Sequence, residues 1–175
     1  MKDASEENAA GMKPETLAMT LAGIGIIHSP FKEPAGMPIQ PVFAEGTVGT
    51  VEVLPQYAEG LRDLEGFDRV WLIYWLHKAL PGPLRVIPFR DTTERGVFAT
   101  RAPCRPNAIG LSCVQLLSVS GNVLTIGGVD ILDGTPLLDI KPYVPKFDAF
   151  PNSRAGWCDQ SPTSARTHAD DRFVL

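Results

Sequence analysis

Between residues 21 and 144 the apolar residues come in short runs, each closed by a turn former within about a dozen positions. Leu21–His28 ends at Ser29-Pro30. Gly46–Leu54 alternates Val48, Val51 and Val53 with small or polar residues. Asp68–Leu76 (DRVWLIYWL) is aromatic and β-branched and reads as a buried central strand. Leu84–Phe89 and Gly96–Thr100 read as further short strands. Ser112–Val119 and Val123–Leu132 flank Ser120-Gly121-Asn122, a hairpin signal, and Leu137–Val144 is the last run. Only Tyr57–Leu64 spaces its leucines like a helix, and Gly60 weakens it. Runs this short and this regular predict an all-β chain of about eight strands, a sandwich or a barrel, without β-α alternation.

Composition agrees. The chain has 16 glycines and 16 prolines among 175 residues, a turn-rich usage, with 44% hydrophobic and 21% charged residues. That length suits one domain, with residues 1–20 as a flexible N-terminal tail, 21–150 as the folded domain and 151–175 as a short C-terminal tail. Nothing approaches a membrane-spanning apolar run, and the stretch Leu17–Ile27 follows Glu6, Glu7 and Glu15 instead of a basic flank. Three cysteines without a C-x-x-C spacing predict neither disulfides nor a metal, and a reduced, cytoplasmic setting.

The chemistry concentrates in two stretches. Residues 96–112 (GVFATRAPCRPNAIGLS) hold Arg101 and Arg105 in a segment punctuated by Pro103 and Pro106, and residues 130–145 (DILDGTPLLDIKPYVP) hold Asp130, Asp133 and Asp139 around a Gly134-Thr135-Pro136 turn. The formal net charge of −4 argues against a general nucleic-acid coat. Arg85, Arg90, Arg95, Arg101 and Arg105 against Asp91 and Glu94 still make a local basic excess, either a phosphate footprint or a solvated loop. Arg101 and Arg105 either brace the aspartates or hold a ligand carboxylate or phosphate. Cys104 lies between them, where positive charge would lower a thiol pKa. Asn107 can read a base edge. His77 and Lys78 end the aromatic strand, where a polar group rims a pocket or simply caps the strand. Asp139, Lys141 and Tyr143 alternate and so share a strand face. Gly23-x-Gly25 lacks the third glycine, since His28 stands there and Ser29-Pro30 follows, which excludes a Rossmann turn.

Residues 24–41 (IGIIHSPFKEPAGMPIQP), 57–79 (YAEGLRDLEGFDRVWLIYWLHKA) and these two stretches together resemble the TrmO/TsaA-like family, also called YaeB- or VirR-like, over about residues 20–150. The resemblance implies a small β-barrel that binds S-adenosylmethionine without a Rossmann fold. It implies a homodimer with the cofactor near the subunit boundary. The activity it implies is methylation of N6 of threonylcarbamoyl-adenosine beside the tRNA anticodon, with no metal. The implied cofactor contacts are Gln40, Pro41, Val42, His77, Lys78, Arg101, Leu111, Leu132, Asp133, Gly134 and Thr135. Arg105, Asn107 and Lys141 remain as candidates for the acceptor, and Asp139 and Tyr143 as candidates to orient it or accept its proton. The arginine stretch departs from the family's commoner residues at Cys104 and Ala108.

Overall fold

The computed structural model describes residues 19–162 and 167–173. Of the expected tail over residues 1–20, residues 1–18 lie outside them. Eight strands form: β1 (Gly25–His28), β2 (Val48–Val53), β3 (Arg69–Trp75), β4 (Arg85–Val86), β5 (Arg95–Gly96), β6 (Ile109–Ser120), β7 (Val123–Gly127) and β8 (Thr135–Pro142). Six of them close an antiparallel barrel in the order β1-β2-β7-β6-β3-β8, while β4 and β5 pair as a separate two-stranded ribbon. One α-helical turn, α1 (Pro145–Asp148), follows the barrel. The expected all-β barrel is the observed fold.

The alternating sequence sets which side chains enter the barrel. Ile27, Val51, Val53, Val70, Leu72, Val114, Leu124, Ile126 and Leu137 line the interior and are closed off from solvent. Burying each is worth roughly 1.5–3 kcal/mol. In β3 the inward residues are Val70, Leu72 and Tyr74. Arg69, Trp71 and Ile73 face outward and are half-buried, and Trp75 is exposed. The aromatic strand is therefore central in the sheet, between β6 and β8, but covered on one face only.

Several expected elements are shorter than their apolar runs. Gly128, at φ 71°, ends β7 and frees residues 128–134 as a connection, so Val123–Leu132 is not one strand. Gly96–Thr100 keeps only Gly96 in a strand. Val97–Ala99 is a 3-10 turn, closed by the Thr100 hydroxyl, which donates to the Val97 carbonyl at 2.8 Å. The expected helix over Tyr57–Leu64 is a pair of 3-10 turns, Pro55–Leu61 and Leu64–Gly66, separated where Asp63 adopts φ 65°. The hairpin at Gly121-Asn122 is as expected: Gly121 takes φ 61°, and Ser120 pairs with Val123.

Two irregularities matter for the site. The pairing of β3 with β8 slips between Ile73 and Tyr74, leaving Leu138 without a partner and keeping Asp139 opposite Ile73. The segment after Pro151 folds back on the Pro-rich loop. His168 bridges Pro38, the Ala169 N–H donates to the Met37 carbonyl at 2.7 Å, and Phe173 packs on Phe89 with ring centres 5.0 Å apart.

Candidate functional site

In an antiparallel barrel, every connection lies at one of two ends. Here β1, β3 and β7 run toward one end, and β2, β6 and β8 run away from it. Connections 29–47, 76–108 and 128–134 therefore meet at that mouth, while 54–68 and 121–122 lie at the opposite end. The candidates Gln40, Pro41, Val42, His77, Lys78, Arg101, Arg105, Asn107, Leu132, Asp133 and Gly134 all fall in the mouth connections, and Thr135 opens β8 beside them.

Arg101 donates to the Gln40 side-chain carbonyl and so ties the arginine stretch to the Pro-rich loop. Pro41 starts a 3-10 turn, Pro41–Phe43, which leaves Val42 75% exposed at the rim. The His77 ring stands edge-on to Trp75, with centres 6.3 Å apart. Burial, reinforced by Lys78, lowers the His77 pKa and favours the neutral ring.

The aspartate turn is locked to β1. The Ser29 N–H donates to Asp133 at 3.0 Å, and Lys32 Nζ lies 2.6 Å from its second oxygen. His28 Nδ1 is 3.5 Å away. The Lys32 hydrogen bond holds the Asp133 carboxyl below its usual range, with the Ser29 N–H as the next contribution. Gly134, at φ 74°, donates its N–H to the Ile27 carbonyl, and the Thr135 hydroxyl donates to the Leu132 carbonyl at 2.7 Å. The Asp133 carboxylate is thus a staple within the chain, and the Asp133 and Gly134 N–H groups are spent on the Phe31 and Ile27 carbonyls.

The structure does not bring every candidate to the mouth. Asp139 and Lys141 face outward and pair with each other at 2.8 Å, and Tyr143 packs edge-on to Trp71. Tyr143 lies beyond the far end of β8, roughly 26 Å of strand from Thr135. Leu111 is also outward, in a row with Ile73 and Asp139. Arg105 braces its own loop by donating to the Thr100 and Ala102 carbonyls at 3.2 and 3.4 Å, and Asn107 is exposed. Cys104 corrects the expectation of an activated thiol: burial raises its pKa and outweighs Arg105. The two acids counted against the basic excess are spent on Arg85 and Arg95, so the excess rests on Arg90, Arg101 and Arg105. Arg85 pairs with Glu94 at 3.2 Å, Arg95 with Asp91 at 2.8 Å, and Arg90 sits over the Phe43 ring. Among the described residues no cluster of His, Cys, Asp and Glu could hold a metal ion, and no helix is long and apolar enough to cross a membrane.

Beneath the mouth lies a polar layer that composition and motif reading miss. The Tyr74 hydroxyl is 3.0 Å from Ser112 Oγ, and Ser112 donates to Asp130 at 2.7 Å. The Asp130 carboxylate can only accept, so the proton order runs from Tyr74 to Ser112 to Asp130. Gly110 makes room for the Tyr74 ring, which would overlap any Cβ there. The signal was present: Tyr74 and Ser112 occupy inward positions that Val70, Leu72 and Val114 fill elsewhere on the same strands. Burial pushes the Asp130 carboxyl up to about 6, against the opposing pull of Ser112 and of Arg101. Burial likewise raises the Tyr74 hydroxyl, with the Asp130 charge adding to it.

A buried carboxylate with a raised pKa weakens the fold once it ionises. The Asp130 penalty is absent below the unfolded carboxyl value, grows as pH rises through the interval to about 6, and is full above it. Asp130→Asn removes the charge and keeps an acceptor for Ser112. Its stability advantage over the wild type is expected to widen over that interval to on the order of 2–3 kcal/mol. Urea unfolding across a pH series measures it, and a gap independent of pH contradicts the assignment.

Comparison with known proteins follows the barrel. The family model described as the tRNA-methyltransferase O N-terminal domain matches residues 26–149. A probable S-adenosyl-L-methionine-binding protein of Pyrococcus abyssi is 54% identical over 85% of this chain and 80% of its own length. The tRNA (adenine(37)-N6)-methyltransferase of Escherichia coli is 36% identical over 81% of this chain and 64% of its own. A crystal structure of TrmO from Pseudomonas aeruginosa superposes with a TM-score of 0.72 at 43% identity, over 84% of this chain and 66% of that one. The chain thus spans about two thirds of the length of the last two proteins. With the barrel, the mouth segments and most of its length matched, the chain belongs to the tRNA-methyltransferase O N-terminal domain family.

Proposed function

We propose that the protein is an S-adenosylmethionine-dependent methyltransferase acting on N6 of threonylcarbamoyl-adenosine beside the anticodon of tRNA. The observation that carries this reading is the convergence at one barrel mouth of three connections remote in sequence, two of them joined by the Arg101–Gln40 contact. The names of the relatives, one a cofactor-binding protein and one a tRNA methyltransferase, support the same reading.

The residues present fit the cofactor. Exposed Val42 offers apolar surface, Gly134 lets a ligand approach backbone unhindered, and Arg101 with Gln40 supplies donors and acceptors suited to its amino-acid end. When bound, the cofactor supplies an electrophilic methyl group on a cationic sulfur. The chain's part is to hold donor and acceptor in line and to keep His77 neutral beside them.

One observation favours a second reading, a small-molecule methyltransferase or an S-adenosylmethionine-binding module. Arg85 and Arg95 are paired with acids, and Arg101 and Arg105 are engaged with the Gln40 side chain and with backbone carbonyls, which leaves a small cationic patch on a chain of formal net charge −4. The free cysteines Cys104, Cys113 and Cys158 suit work in the reducing cytoplasm.

We propose that a second copy of the chain covers the outer face of β8-β3-β6. There Trp75, Ile109, Leu111 and Leu117 are each at least two fifths exposed, beside half-buried Trp71 and Ile73. This places Leu111, outward on β6, at a boundary between copies. Sedimentation is expected to give twice the 19.0 kDa chain mass for the wild type and the monomer for Leu111→Asp. A monomeric wild type contradicts the proposal.

Calorimetry is expected to show S-adenosylmethionine binding that Arg101→Ala weakens roughly tenfold. Nucleoside mass analysis of tRNA incubated with protein and cofactor is expected to show methylated threonylcarbamoyl-adenosine. Cofactor binding with an unchanged nucleoside profile supports the second reading, and no binding refutes both.

A further inference from the structure

Asp130 is unusual among the half-buried acids of the mouth. Asp133 is matched by Lys32, and Asp91 by Arg95. Asp130 has no cation within ion-pair distance among the described residues, and Arg101 acts on it only through space. It sits between the buried Val129 and Ile131, at the point where connection 128–134 crosses the mouth. Among the described residues its one side-chain hydrogen-bond partner is Ser112, which is itself held by Tyr74. An uncompensated carboxylate costs stability wherever it is buried, and apolar residues would fill the same space better. The residue is not sealed in: it is partly exposed, and no buried side-chain oxygen of the described residues lacks a partner.

We propose that Asp130, aimed by the Tyr74–Ser112 chain, accepts the proton released when the acceptor nitrogen in the mouth is methylated. The inference rests on the methyltransferase reading above. In that reaction the nitrogen lone pair forms the new N–CH3 bond, and the S–CH3 bond breaks with its electron pair going to sulfur. The sulfonium becomes a neutral thioether, and the nitrogen's proton passes to the Asp130 carboxylate, so charge and atoms balance. Ser112 is already committed as a donor to Asp130, so it fixes the carboxylate's orientation and leaves an oxygen lone pair for the incoming proton. The groups that set the proton affinity of Asp130 are Ser112 on β6, which favours the ionised form, and Arg101 from connection 76–108, which does the same against the burial. Tyr74 on β3 reaches it through Ser112. By contrast, Asp139 is already neutralised by Lys141 on the outer face.

The test uses the full chain, S-adenosylmethionine and tRNA bearing threonylcarbamoyl-adenosine. Single-turnover rates are measured over a pH series, and cofactor affinity by calorimetry. Asp130→Asn is expected to bind the cofactor like the wild type and to transfer methyl at least roughly 100-fold more slowly. Ser112→Ala is expected to move the acid limb of the rate profile to higher pH. It should move the carboxyl titration of Asp130 in the ligand-free protein, followed by carbon NMR, in the same direction. An active wild type with an Asp130→Asn variant of unchanged rate and pH profile overturns this proposal alone. Should that variant not fold, an acid limb and a carboxyl titration unmoved in Ser112→Ala overturn it equally. A wild type that binds the cofactor and leaves this tRNA unmethylated overturns the methyltransferase reading and this proposal with it.

Discussion

Closure of the sheet is the constraint on which everything else depends. β1 completes the barrel through only three paired positions with β8, Gly25–Ile27 against Thr135–Leu137, yet this removes both sheet edges and fixes which end each connection occupies. The same junction carries the Asp133 staple, in which Ser29 and Lys32 from the exit of β1 grip the turn that leads into β8. Closing the barrel and shaping the mouth are therefore one event. The Gly134 N–H bond to Ile27 belongs to both.

Above an interior of Val, Leu and Ile, the barrel carries a polar layer of Tyr74, Ser112 and Asp130 on the mouth side. Such a layer is expensive. Each hydroxyl must find its partner, and the carboxylate is lifted out of its normal range by burial. The expense is confined to one end of the barrel. A stable core can carry a destabilising group where chemistry needs it, and Asp130 fits that pattern better than Asp133, whose charge is spent on holding the fold.

Much of this was legible in the sequence. Short alternating runs and turn formers gave the strand count, and Gly121-Asn122 gave the tight hairpin. The clustering of ionisable residues in 96–112 and 130–145 located the mouth, because both stretches are or adjoin connections at the same end. What stayed hidden has physical reasons. Element ends were set by backbone conformation at single residues, Gly128 after β7 and Asp63 between the two 3-10 turns, which apolar runs do not reveal. The parity that put Asp139, Lys141 and Tyr143 on one face was sound local reasoning, but it carried no information on which end of the barrel that face lies nearest. Tyr74 and Ser112 looked like ordinary members of apolar strands, and only the pairing of β3 with β6 puts both on the inner face beside Asp130.

The central claim is that three connections form one ligand-binding mouth. Titration of the isotope-labelled protein with S-adenosylmethionine, followed by backbone NMR, tests it directly. Shifts are expected in residues 29–47, 76–108 and 128–135 together, with residues 54–68 and the Gly121-Asn122 hairpin unmoved. Shifts concentrated at that opposite end, or confined to one of the three connections, would contradict the account.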